Sequence, residues 1–209
     1  MEGKKDEKNY TGIIPENEEG KIIDTTSSID FDTDEEAKTF FTVVKSRLLD
    51  VNRWHDTAGA LSASFQLVDE SCKEVDRPVQ KGDYFKIDIP GPGTASGEGY
   101  DWVKVEDLQI VSEGDVESVG LRVRPVPSPV NEKKDIAHFY SEDSTSSFTV
   151  TREKNKITAG IYDRNTKPNK DAETVVDKVR DTVAGTGAVT IFSKLQWKSL
   201  ANGLLSRKE

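Results

Sequence analysis

The sequence predicts a segregated α+β domain, in which a helical segment comes first, about six strands follow, and a long amphipathic helix ends the chain. Apolar residues recur at three- and four-residue spacing near residue 40 and again after residue 171. Between residues 61 and 163 they alternate with polar residues instead. The 209 residues contain no repeat of fixed period and no long linker, so we expect one domain.

The N-terminal stretch, residues 1–27, is polar and charged, and its apolar pairs are Ile13-Ile14 and Ile22-Ile23. Such a composition does not support a packed core of its own. We therefore predict an N-terminal arm over 1–27 and a domain over 28–209, with the two isoleucine pairs as candidate anchors to the body or to a partner.

The first helical signal is Thr33-Asp34-Glu35-Glu36, which fits a capping box and places acids where the helix dipole favours them. Helical spacing then predicts one helix or two short ones from residue 34 to about residue 52. The apolar residues that carry this spacing are Ala37, Phe40, Phe41, Val44, Leu48 and Val51.

Period-two alternation predicts the strands. It occurs in residues 61–67, 85–89, 100–111, 119–123, 147–150 and 157–162. In the third of these, Leu108 and Ile110 are out of phase with Val103 and Val105. A β-bulge near Glu106-Asp107 would restore the phase.

The last element keeps a helical apolar stripe from residue 171 to about residue 205, interrupted by Gly185 and Gly187. A glycine inside a helix costs about 1 kcal/mol relative to alanine. The two glycines therefore predict a bend or a close packing contact, and a break between two helices is the alternative.

Composition argues against several classes of function. With 38 acidic and 29 basic side chains the formal net charge is -9, which disfavours nucleic acids and anionic membrane surfaces as partners. No stretch approaches the ~20 apolar residues of a membrane span, and the N-terminus lacks a signal-peptide pattern, so we expect a cytoplasmic protein.

The sequence also contains few cysteine and histidine residues. Cys72 is the single cysteine, and His55 and His138 lie far apart without metal-ligand spacing. We expect neither a disulfide nor a metal or other cofactor, and no sequence motif identifies a catalytic residue.

The order of elements resembles the helix-grip fold of the START-like and birch-allergen-like superfamily (SRPBCC). The resemblance covers about residues 28–205 and concerns element order and length, not a motif. It implies an early strand at 28–31, a helical pair over 34–55, and a curved antiparallel sheet of six or seven strands over 61–163. That sheet would wrap around a helix over 171–205 and leave an apolar cavity. A β-sandwich or barrel with a flanking helix is the alternative.

Seven residues are candidate ligand contacts if such a cavity exists: Trp102, Arg122, Arg124, His138, Tyr140, Tyr162 and Arg164. The two arginines of the fourth strand point either inward, where they would await an anionic group, or outward, where they would pair with local acids. The glycine-rich loop at 91–99 would gate the cavity mouth.

The resemblance implies binding of a lipid-like or aromatic small molecule in the cavity. An enzyme of the cyclase, dehydratase or hydrolase type is one alternative, with His138, Tyr140, Tyr162 and Arg164 as the polar groups. A protein-interaction domain without a cavity is the other. The sequence leaves ligand identity and oligomeric state open.

Overall fold

A computed structural model describes residues 8–59, 63–89, 96–132, 134–169 and 187–207. Within these ranges the chain forms seven strands, three α-helices and one short 3₁₀ helix. Their bounds are β1 Lys21–Asp30, α1 Asp34–Leu49, the 3₁₀ helix Val51–Arg53, α2 Trp54–Ala58, β2 Ser64–Val68, β3 Tyr84–Asp88, β4 Asp101–Glu113, β5 Val116–Pro125, β6 Thr145–Glu153, β7 Lys156–Thr166 and α3 Gly187–Leu204.

The strands form one curved sheet in the order β1-β7-β6-β5-β4-β3-β2, and every neighbouring pair is antiparallel. The chain starts at one edge, crosses to the other through α1 and α2, and returns strand by strand. The predicted α+β class with about seven strands is confirmed. The sheet has two edges and does not close, so the sandwich and barrel alternatives are wrong.

The first strand begins at Lys21, earlier than the predicted start at residue 28, and pairs with β7 along most of its length. The predicted boundary between arm and domain therefore falls inside β1. Sequence patterning missed this start because an edge strand gains its backbone pairing from a partner more than a hundred residues away, which no local pattern records.

One face of the sheet, here called the core face, carries the hydrophobic core and is covered by the helices. Trp54 of α2 lies at its centre, with ring centroids 5.3 Å from Phe65, 5.7 Å from Phe85 and 4.8 Å from Phe148. The strand alternation fits this placement, since Val119, Leu121 and Val123 are all buried. The β4–β5 register shifts between Val105 and Asp107, which confirms the predicted bulge.

The start of α1 agrees with the capping box predicted from the sequence. Thr33 Oγ1 accepts a hydrogen bond from the Glu36 amide at 3.2 Å, as expected of an N-cap. The predicted helical stretch at 171–186, including Gly185, lies outside the described residues, and Gly187 is the first residue of α3. The bend predicted at Gly185 and Gly187 therefore stays a prediction.

A close helix contact occurs at Gly203, near the end of α3. A Cβ atom on this residue would lie 1.9 Å from the Thr57 carbonyl oxygen, so the backbones of α3 and α2 touch directly. Side chains of the same helix also reach β1: Lys198 Nζ donates to Thr26 O at 2.9 Å, and Asn202 Oδ1 accepts from Ser27 Oγ at 2.6 Å.

The opposite face of the sheet, here called the outer face, is crossed by residues 8–20. Ile13 is fully buried there against Gly120, where a Cβ atom would lie 2.9 Å from Ile13 Cγ2. The Ile13 carbonyl accepts hydrogen bonds from Ser147 Oγ at 3.1 Å and from Arg122 Nη1 at 3.3 Å. None of the helices in the described part of the chain is long and apolar enough to cross a membrane.

Candidate functional site

A small cavity of about 40 Å³ remains between the core face and α3. Its walls are mostly aromatic and aliphatic, with a few polar groups. The lining residues are Phe65, Ile87, Ile89, His138, Phe139, Tyr140, Ser146, Gln196 and Trp197. Since residues 90–95 are not described, Ile89 is the last described residue of its segment.

Each wall of the cavity comes from a different part of the chain. Pairing of β2 with β3 places Phe65 opposite Ile87. Helix α3 contributes Gln196, whose Oε1 accepts from the Ala63 amide at 3.2 Å, and Trp197, whose ring meets Phe148 edge-on at 5.2 Å. These contacts fix the two α3 side chains against the sheet, so the cavity wall is formed by packed groups.

A fully buried carboxylate, Asp163 of β7, lies one side chain behind this wall. Its Oδ1 accepts from Ser146 Oγ at 2.6 Å, and its Oδ2 accepts from Trp197 Nε1 at 2.9 Å. Both donors line the cavity. The carboxylate thus determines how two cavity-lining groups are oriented.

Burial raises the pKa of Asp163 from 3.8 to about 6, although the hydrogen bonds from Ser146 and Trp197 and the nearby Arg164 act in the opposite direction. Within the described residues no cation lies at ion-pair distance from this carboxylate. The Arg164 guanidinium contacts Asp24 on the outer face instead. Desolvation therefore prevails over charge compensation at this site.

The imidazole of His138 forms part of the cavity wall and is uncharged. Its Nδ1 accepts from the Tyr140 backbone amide at 2.9 Å, so the ring proton resides on Nε2, which lies 4.0 Å from Asp101 Oδ2. Burial lowers the pKa of His138 to about 3. The ring stacks on Phe139 with centroids 4.3 Å apart. Because Nδ1 is already a hydrogen-bond acceptor, the ring has no vacant basic nitrogen to offer a ligand.

The segment that carries His138 is attached to the end of β7 by Asn169. Asn169 Nδ2 donates to the carbonyls of Ile136 and His138, both at 3.0 Å, and its backbone amide donates to Phe139 O at 2.9 Å. Sequence reasoning did not single out Asn169, because an asparagine after Thr166-Lys167-Pro168 is typical of the turn that ends a strand.

The structure brings two of the seven predicted contact residues, His138 and Tyr140, to the cavity. The other five belong to the outer face. Arg122 and Arg124 both pair with Glu106, with Arg122 Nε 3.0 Å from Glu106 Oε2, so they take the outward of the two predicted orientations.

Tyr162 and Arg164 also lie on the outer face of β7. The Tyr162 ring covers Gly160, where a Cβ atom would lie 2.5 Å from the ring edge. The Arg164 guanidinium carbon is 5.7 Å from the centroid of that ring.

Trp102 is 1% exposed in a separate cluster with Val68 and Ala137, and its Nε1 has no hydrogen-bond partner within the described part of the chain. Of the glycine-rich loop at 91–99 that would gate the cavity, residues 91–95 lie outside the described ranges.

Among the site residues with polar groups, sequence reasoning missed Ser146, Asp163, Gln196 and Trp197. For Asp163 there was a signal. It is in phase with the buried Ile157, Ala159 and Ile161, so an acid occupies a position where the alternation requires an apolar side chain. For the other three no local pattern distinguishes a cavity wall from ordinary packing.

The sequence matches no protein-family model, and it has no significant match among curated proteins. Solved structures give remote matches. A hypothetical protein of Helicobacter pylori, jhp0584, is 12% identical over 90% of this chain and 87% of its own, with a TM-score of 0.49. A major latex-like protein of Panax ginseng is 12% identical over 90% of this chain and 100% of its own, with a TM-score of 0.36.

Protein Ms6760 of Mycobacterium smegmatis is 13% identical over 87% of this chain and 90% of its own, with a TM-score of 0.34. All three TM-scores are below 0.5, so the fold assignment rests on this chain's own strand order and helix placement. On those grounds the chain has an α+β architecture of the helix-grip type, with a C-terminal helix against the core face of a curved antiparallel sheet.

Proposed function

We propose that the protein binds a compact small molecule in the cavity between the core face and α3. The observation that carries this proposal is a void between described residues of the core face and α3, beside a buried carboxylate. Ligand sites in proteins are typically concave and mostly apolar, with a few polar groups that fix orientation. Here Ser146 and Gln196 would orient the ligand, and Phe65, Ile87 and Ile89 would contact its apolar part.

The volume limits the ligand. Drug-sized ligands occupy pockets of roughly 300–1,000 Å³, whereas this cavity has about 40 Å³. Trp54 and its aromatic neighbours pack closely against one another at the centre of the core face. We therefore propose a ligand of a few heavy atoms, or a larger one of which only the head group enters. The enzyme alternative has less support, because Tyr162 and Arg164 lie on the other face.

The test uses freshly purified protein and a short neutral probe. Native mass spectrometry would reveal a co-purified compound. A titration with 1-hexanol, followed through the indole N–H signal of Trp197 in ¹H–¹⁵N spectra, would measure occupancy. We expect saturable shifts of that signal, whereas the indole signal of Trp102 in its separate cluster remains unchanged.

Two matched variants locate the binding. Ile89→Trp adds bulk to the cavity wall, and Ile110→Trp adds the same side chain at a position of β4 that is 53% exposed. Binding should be lost in the first variant and unchanged in the second. If mass spectrometry shows only the bare chain and 1-hexanol leaves Trp197 unperturbed, the proposal is wrong.

A further inference from the structure

We propose that the cavity selects an organic cation, a primary ammonium group on a short apolar tail, because a buried carboxylate lies behind its aromatic wall and none of the described cationic side chains lies at ion-pair distance from it. This inference rests on the proposed function and names the chemical class of its ligand.

The first step is the charge behind the wall. Asp163 is 0% exposed and accepts its two hydrogen bonds from neutral donors, the Ser146 hydroxyl and the Trp197 indole. Neutral donors orient and stabilise a carboxylate but leave its negative charge in place. That charge acts through protein rather than through water, so its field in the adjoining cavity is only weakly screened.

The second step is the position of the nearest cation. Arg164 follows Asp163 in the chain, but the alternation of a strand sends the two side chains to opposite faces. Its guanidinium pairs with Asp24 there and donates to the backbone carbonyl of Asp163 at 3.0 Å, not to the carboxylate. Among the described wall residues the basic side chain is that of His138, which is uncharged at neutral pH because burial lowers its pKa to about 3.

A second buried acid, Asp101, lies next to His138 and accepts a hydrogen bond from the Phe139 amide at 3.3 Å. Asp101 is 4% exposed, and its Oδ2 lies 4.0 Å from His138 Nε2. Two carboxyl groups are thus found near a cavity whose own histidine carries no charge. An anionic ligand would be repelled here, and a neutral one would gain nothing from either acid.

The third step is the nature of the wall. Aromatic rings attract cations through the negative potential of their faces, within about 6 Å of the ring centroid. Phe65, Phe139, Tyr140 and Trp197 supply four such rings around one small void. A cavity needs roughly 10–15 Å³ to hold a single water molecule, so about 40 Å³ is enough for an ammonium head group.

The competing explanation is purely structural: Asp163 would serve only to anchor Trp197, and through it α3, to the sheet. Under that explanation the charge of the carboxylate has no bearing on which ligand enters. The experiment therefore varies charge alone.

Three probes share one tail and differ in the head group: n-hexylammonium, 1-hexanol and hexanoate. Each is titrated at pH 7 into the full chain, and the dissociation constant is measured from the Trp197 indole signal. We expect the ammonium probe to bind at least about tenfold more tightly than the alcohol, which corresponds to about 1.4 kcal/mol. Hexanoate should bind most weakly.

The variant Asp163→Asn keeps the shape of the side chain and an acceptor oxygen but removes the charge. In it the ratio of the two affinities, ammonium over alcohol, should fall to less than about twofold. The control Asp115→Asn removes the same charge from the exposed β4–β5 turn, and it should leave the preference intact.

The outcomes separate the two proposals. If none of the three probes perturbs Trp197, the proposed function itself fails. If the alcohol binds and the ammonium probe binds no better, or if the preference survives Asp163→Asn, the function stands and the cation inference is overturned. The ranking of the three probes on the unaltered chain decides the matter even if the asparagine variant folds poorly.

Discussion

Adjacent residues of β7 show that a buried charge has different interaction partners on the two faces of the sheet. Arg164 is 5% exposed on the outer face and has an ion-pair partner, Asp24. Asp163 is fully buried on the core face, beside a void, with hydrogen bonds from neutral groups. Burial of a charge without a partner lowers stability. The contrast teaches that the lack of an ion-pair partner among the described residues, rather than burial itself, is what marks the candidate site.

The same contrast extends across both faces. The core face is held mainly by apolar packing under three helices, whereas the outer face combines hydrogen bonds and ion pairs with smaller apolar contacts, such as those of Ile13 and Trp102. Ser147 on the outer face is fully buried, yet it donates to Ile13 O. If this division is correct, side chains of similar size should contribute very different free energies of unfolding on the two faces.

The largest expected effect is that of an aromatic deletion on the core face. Phe148→Ala removes a ring that contacts both Trp54 and Trp197 and leaves a cavity, so we expect a loss of about 3–5 kcal/mol in the free energy of unfolding. Tyr162→Ala, on the outer face of the next strand, should cost about 1–2 kcal/mol because its ring is partly exposed. Urea titrations of both variants measure the difference, and equal losses would contradict the division between the faces.

The next effect concerns the pH dependence of the free energy of unfolding. Here the substitution is expected to stabilise the protein, whereas the aromatic deletions destabilise it. The pKa of Asp163 is raised from 3.8 to about 6 by folding, so the folded state holds its proton more tightly than the unfolded state. Stability from this group is complete below about pH 4 and is lost as pH rises to about 6, by up to about 3 kcal/mol at about 1.4 kcal/mol per pKa unit.

Asp163→Asn should abolish this dependence. We expect the variant to be more stable than the original chain at pH 7, while the two differ little near pH 4. Urea unfolding at both pH values, on both proteins, provides the measurement. A variant less stable at pH 7 would mean that the carboxylate is a structural anchor, and the case for a functional charge would weaken.

The smallest effect tests how residues 8–20 cover the outer face. In Gly120→Ala the new Cβ atom would lie 2.8 Å from Thr11 Oγ1 and 2.9 Å from Ile13 Cγ2, so we expect a loss of about 1–2 kcal/mol. Ile13→Ala removes one of the clashing groups. In that background the cost of Gly120→Ala should fall by at least about half. Additive losses in the double variant would show that the two residues are not in contact.

Much of the fold was accessible from sequence because it depends on local periodicity. The alternation around Val119 and Leu121 identified the core side of β5, and the phase change after Val105 predicted the bulge. The N-cap at Thr33 was equally predictable, since a capping box is a four-residue pattern. The start of β1 was not, because an edge strand is defined by its pairing with the distant β7.

The candidate site depends on long-range contacts between side chains, which no local sequence pattern encodes. Ser146, Asp163 and Trp197 belong to three elements, and only folding brings the hydroxyl and the indole to the same carboxylate. The outward position of Arg122 and Arg124 follows from the apolar phase of Val123, but the cover of residues 8–20 over that face is a long-range contact. Of these residues, only Asp163 had a local signal in the sequence, because this acid occupies a strand position where the alternation requires an apolar side chain.

The contacts between the end of the chain and β1 have a consequence for how copies of the protein behave together. An edge strand exposes carbonyls and amides on which a strand from another molecule can assemble. Here Lys198 binds Thr26 O, and Arg207 Nη2 donates to Asp30 O at 3.2 Å. Cationic side chains thus occupy carbonyls that a second strand would need, so loss of these two residues should promote intermolecular β-sheet growth and aggregation.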